Sequence, residues 1–104
     1  MDTPDITIIC DRKFREAVEA LVVQCPFLGT AKGAKNRCID ASVWLLTDLG
    51  IPSSEQHKFM RSNIDDPRTD EHTEHHWVCV GGVNVDMTAR QFDVAADFPK
   101  TWRD

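Results

Sequence analysis

The sequence predicts a single α+β domain in which N-terminal helices pack on a small antiparallel β-sheet. Three observations predict it. Apolar residues recur at helical spacing between Arg12 and Gln24, and again between Cys38 and Leu49. Two runs of β-forming residues, HHWVCV and VNVDMT, flank the pair Gly81-Gly82 and read as a hairpin. The chain has 104 residues, enough for one hydrophobic core and no second domain. Helices and hairpin must therefore share that core, in a domain running from residue 1 to 104.

The first helix follows the apolar stretch ITIIC. Phe14, Ala17, Val18, Leu21 and Val22 form its stripe, Asp11 stands where an N-cap belongs, and Pro26 and Gly29 close it. GTAKGAKNR is read as a loop leading to the second helix. There Cys38, Ala41, Ser42, Leu45 and Leu49 share one face, and Val43, Trp44 and Leu46 widen the apolar surface, which predicts a central, buried helix. Gly50 and Pro52 terminate it. From Ser53 to Glu74 the chain turns polar and loses periodicity, apart from Phe59, Met60 and Ile64. Asp65, Asp66, Pro67 and Asp70 predict a turn or a mobile loop there. The hairpin comes next, and FDVAADFPKTWRD has room for one more short strand or an edge extension.

Composition removes several classes of function. Hydrophobic residues at 41% and charged residues at 28% give a globular balance, not that of a disordered or membrane chain. A formal charge of -5 argues against nucleic acid as a partner, because phosphate binding needs clustered Lys and Arg. The one basic stretch, AKGAKNR, is short and is expected to solvate a loop rather than bind a polyanion. No apolar run reaches the length of a membrane span, and MDTPDITIICDR is acidic where a secretory signal is basic. These features predict a cytoplasmic protein at synthesis, with no membrane partner. Cys10, Cys25, Cys38 and Cys79 form no CxxC pair and no tight zinc spacing, so free thiols are expected, with no metal or cofactor.

A turn at Gly81-Gly82 pairs Val80 with Val83, Val78 with Val85 and Trp77 with Asp86. Strand alternation then places His75, Trp77 and Cys79 on one face with Asn84, Asp86 and Thr88. His76, Val78 and Val80 share the other with Val83, Val85 and Met87. His75 and Asp86 become diagonal neighbours, and a carboxylate bonded to one ring nitrogen fixes a histidine's tautomer and supports its protonated form. Such a pair serves a nucleophile. Cys38 is the candidate, because a thiol at a helix start sits among unsatisfied N–H groups that favour the thiolate and are placed to hold an oxyanion.

These residues also resemble a family. A cysteine opening a helix with small residues at Ala41 and Ser42, the strand His75-His76-Trp77-Val78, and D-x-T-A-x-Q-F from Asp86 to Phe92 look like the core of the transglutaminase-like branch of papain-fold thiol enzymes. The resemblance spans Asn36 to Phe92 and keeps the order Cys, His, Asp. The family usually has D-P-T where this chain has Asp86-Met87-Thr88. The resemblance implies a helix packed on an antiparallel sheet, with Cys38 as nucleophile, His75 as base and Asp86 as its orienting acid. It also implies a protein or peptide amide as substrate, cleaved, deamidated or transamidated through a thioester.

Other readings compete. A lone cysteine is commonly a packing residue and a lone strand histidine a hydrogen-bonded polar one. Trp77 reads as a sheet packing residue before a substrate contact, and Gln91 as a structural hydrogen-bonding group as readily as an oxyanion donor. His72, His75 and His76 with Asp70, Glu71 and Glu74 form an alternative metal-binding cluster, although alternation turns His75 away from the other two. A third alternative is a non-catalytic interaction module on the same fold.

Overall fold

The computed structural model describes residues 6–62 and 75–104. Helix α1 (Arg12–Gln24) forms where the stripe predicts it, and Asp11 caps it by accepting a 2.8 Å hydrogen bond from the Phe14 N–H. Phe14, Ala17, Val18 and Leu21 are its buried face. A 3-10 turn at Pro26–Gly29 follows. The expected loop after it contains a short helix, α2 (Ala31–Ala34), capped by Thr30 through the Gly33 N–H and anchored by the buried Ala34. The loop reading missed it because four residues carry no readable period; a cap and one buried alanine are enough once the neighbours supply packing.

Helix α3 (Cys38–Asp48) buries Ala41, Ser42, Leu45 and Leu46. Small residues at 41 and 42 let it lie close against the sheet. It ends where Gly50, at φ 79°, donates to Thr47 O while the Ile51 N–H reaches Leu46 O, a Schellman closure that only a residue tolerant of positive φ makes cheaply. The polar stretch after it is more ordered than expected as far as Ser62: α4 (Ser53–Gln56), a 3-10 turn at His57–Phe59, and strand β1 (Met60–Ser62). Gln56, 6% exposed, ties α4 to the end of α3 by bonding Thr47 Oγ1 and Ile51 O. Asp65, Asp66, Pro67 and Asp70, the expected turn, lie outside the described residues.

Strands β2 (His76–Val80) and β3 (Val83–Asp86) make the hairpin in the expected register, Val80 opposite Val83 and Val78 opposite Val85. Gly81 and Gly82 take φ of 58° and 78°, the doubly left-handed turn that suits the twist of paired strands. The extra C-terminal strand is β4 (Lys100–Arg103), paired with β3. The sheet is antiparallel in the order β1-β2-β3-β4. Val78, Val85 and Met87 join the helices' Phe14, Leu21 and Leu45 in one core. The opposite face is covered as well, so Trp77, Asn84 and Asp86 are buried. The molecule is thus a mixed α+β domain, and among the described residues no helix is long and apolar enough to cross a membrane.

Candidate active site

The start of α3 and the start of β2 meet at Cys38. Cys38 is the first residue of its helix, so its side chain lies among backbone N–H groups that have no carbonyl one turn earlier. Partial burial pushes the thiol's pKa up, but a hydrogen bond with the His75 ring, the His76 backbone N–H, the charge of His75 and the Ile39 N–H together outweigh it. The thiol ends below its ordinary value. Helix start and strand start therefore both donate to one sulfur, which the sequence reading foresaw for the helix alone.

His75 precedes β2 and is buried, 7% exposed. Its Nε2 lies 2.7 Å from Asp86 Oδ2. Burial opposes a charge on the ring, but the bonds to Asp86 and Cys38 and the negative charge of each raise its pKa to about 9. The thiol is moved down and the ring up, each partly by the other, which is the direction of a thiolate–imidazolium pair. Asp86 is held in turn by the Thr88 N–H, 2.9 Å from Oδ1, and by the Thr88 hydroxyl at 3.3 Å. The DMT step is thus a local turn that keeps one carboxylate oxygen occupied and points the other at His75.

Two aromatic rings hold the imidazole. Phe92 meets it edge-on at 4.8 Å between centroids, and Trp77 lies tilted at 6.1 Å. Trp77 is itself fixed, its indole N–H donating to Asn84 Oδ1 at 2.9 Å and its ring packed 5.7 Å from Trp102. Asn84, fully buried, passes the constraint on through its amide to Asp104 Oδ1 at 2.8 Å. The sequence reading assigned Trp77 to packing and missed Asn84 and Phe92. The signal for Asn84 was present, since it shares a strand face with Trp77, Asp86 and Thr88. Phe92 follows a 3-10 turn at Ala89–Gln91, and no strand or helix period reaches it.

Gln91 Oε1 is buried and accepts no hydrogen bond from a described residue, so the structural bond weighed for this side chain is absent at its oxygen. All four cysteines are unpaired, with Cys10 exposed, Cys25 and Cys38 partly buried and Cys79 buried. His72, Asp70, Glu71 and Glu74 of the alternative metal cluster lie outside the described residues. Among the described residues no three His, Cys, Asp or Glu side chains are placed to hold a metal ion. His76 is half-buried and contributes its backbone N–H to the sulfur. None of the family models, curated proteins or solved structures compared with this chain matches it.

Proposed function

We propose that this chain is a cysteine-dependent hydrolase or acyltransferase acting on amide bonds of a protein or peptide, of the transglutaminase-like kind its motifs resemble. The observation that carries the reading is a single buried imidazole between Asp86, 2.7 Å from its Nε2, and the Cys38 thiol, both of which raise its pKa. A structural histidine needs one satisfied bond. This one has on one side an acid that supports its charge and on the other a thiol that its charge draws toward the thiolate.

The roles follow from the contacts. The Cys38 thiolate attacks the amide carbonyl carbon, and negative charge collects on the carbonyl oxygen as the carbon becomes tetrahedral. Backbone N–H groups at the start of α3 are the donors for that oxygen. His75, already protonated, gives its proton to the leaving nitrogen, the C–N bond breaks, and amine or ammonia departs from a thioester on Cys38. Water or a second amine then attacks the thioester, His75 takes its proton, and the thiolate is restored. Asp86 holds the ring throughout. Four unpaired thiols suit a reducing compartment, and we place the protein there.

Limiting iodoacetamide near neutral pH, followed by peptide mapping, tests the reading. Cys38 should be alkylated before Cys10, although Cys10 is the exposed thiol, because thiolate content outweighs access. Labelling of Cys10 or Cys25 with Cys38 silent would remove the nucleophile and the reading with it.

A further inference from the structure

The stretch of chain that leads into Cys38 carries a charge that the catalytic chemistry does not use. Residues 31–37 hold three of the chain's twelve basic residues and none of its seventeen acidic ones, and no carboxylate occurs between Glu19 and Asp40. Lys32, Lys35 and Arg37 are all exposed. Among the described residues none of them is paired with a carboxylate, whereas Arg12, Lys58 and Arg61 each are. Arg37 is the residue immediately before Cys38 and the N-cap of α3, and its guanidinium, which has no acceptor, makes no capping bond there. It lies instead over the ring of Phe27, 5.4 Å from guanidinium carbon to ring centroid.

A ring under a guanidinium holds its position without occupying its N–H donors. The fork, on the residue just before the nucleophile, rests on that ring with its hydrogen-bonding capacity intact, and a planar, bidentate acceptor suits it best. The nearest acid in sequence is Asp40, in the first turn of α3. Apolar surface adjoins the same place: Ile39 is 51% exposed, Phe27 and Phe92 each 40%. Phe92 packs on the catalytic ring, and Ile39 follows the nucleophile. A cation, an apolar rim and a thiolate within one short span describe a surface for an acidic peptide with an apolar neighbour.

Resting on the thiol-enzyme reading above, we infer that the site selects acidic peptide segments, with Arg37 receiving an Asp or Glu carboxylate close to the attacked amide. Lys35 and Lys32 extend the positive field along the approach. This differs from binding a polyanion, for which three cations are too few, and it reconciles an acidic protein with an acidic substrate by confining the attraction to one edge.

The test compares two alkylating reagents at Cys38, anionic iodoacetate and neutral iodoacetamide. Their rate ratio cancels the thiolate fraction and reports the local field. Arg37→Gln should lower the iodoacetate-to-iodoacetamide ratio about threefold at low salt, and added salt should shrink the difference. Arg12→Gln, which removes one charge elsewhere, should leave the ratio in place. A matched pair of dipeptide nitriles carrying Glu or Gln beside the electrophile should show a preference for Glu that Arg37→Gln abolishes. If Cys38 reacts fast but the ratio and the nitrile preference ignore Arg37, or if Arg12→Gln lowers the ratio equally, the acidic-substrate inference fails and the thiol enzyme stands. If Cys38 shows no enhanced reactivity toward iodoacetamide, the thiol-enzyme reading itself has failed.

Discussion

His75 and His76 are adjacent in sequence and opposite in role, and the difference is one step of strand alternation. His75 shares the face of Asp86 and is bonded to it; His76 supplies a backbone donor. His75→Ala should therefore cut Cys38 alkylation at neutral pH by about tenfold or more, because the thiol loses its hydrogen bond and its cation. His76→Ala keeps the backbone N–H and should leave that rate nearly unchanged. Asp86→Asn should fall between the two, since the ring remains but loses the charge that holds its proton. Alkylation profiles against pH for the three variants, with melts to confirm folding, decide the assignment; a raised thiol pKa in His76→Ala alone would transfer the role to that residue. The pH dependence has a definite sign. A ring raised from 6.5 to about 9 contributes stability that is complete below the lower value and disappears as pH rises through the upper one. The thiol, moved down, contributes in the opposite sense, losing its share as pH falls through its lowered pKa. The stability gap between the wild type and His75→Ala should thus narrow when melts are repeated above the pKa of about 9.

The hairpin makes that alternation count, and its turn depends on two left-handed residues. A Cβ added at Gly81 or Gly82 would meet no atom within 4 Å, so a substitution there meets only backbone strain. Gly81→Ala should cost about 1 kcal/mol, and Gly81→Asn should cost less or stabilise, because Asn tolerates that conformation. Paired urea denaturations check the order. Equal losses would mean that the turn is not the left-handed pair. At the other end of the site, α3 packs against β2 with Ala41 and Ser42 buried, and the hydroxyl of Ser42 bonds back to Cys38 O at 2.8 Å. Ala41 is 2% exposed, so Ala41→Leu should overpack this contact, push the helix start away from β2 and lower both stability, by about 1–3 kcal/mol, and Cys38 reactivity. Unchanged alkylation at reduced stability would separate the packing from the chemistry.

Two parts of the chain far apart in sequence converge at the scale of the whole molecule. Arg90 joins them, donating to Gly29 O and Ala96 O at 2.8 Å each, so the turn bearing Gln91 and Phe92 is fastened to the segment before α2. Asp104 closes the far edge, gripping Arg61 of β1 with both oxygens at 2.6 and 2.9 Å while holding Asn84. The core under the site rests on α1, where Phe14 is 2% exposed. Phe14→Ala should cost about 3–5 kcal/mol, a large share of what a domain this small possesses. Its effect on function should be indirect: iodoacetamide would then label Cys38 and the buried Cys79 at more similar rates, as opening exposes both. Selective Cys38 labelling retained at full strength would show that the site does not depend on this core.

By itself the sequence determined the two long helices, the Asp11 cap, the hairpin and its register, because each is a local pattern: a 3.6-residue period, a capping side chain, a glycine pair between alternating runs. From that register alone His75 and Asp86 fall on one face, and both residues of the pair were legible. Only the tertiary structure decided the rest. A four-residue helix such as α2 and a three-residue strand such as β1 are too short to show a period, and they exist because neighbours cap, pair and bury them. Phe92 acquires its place beside His75 from tertiary packing after a 3-10 turn. Cys38 meets His75 because small residues in α3 let a helix settle against a strand much later in the chain, and no local pattern records a contact across such a distance.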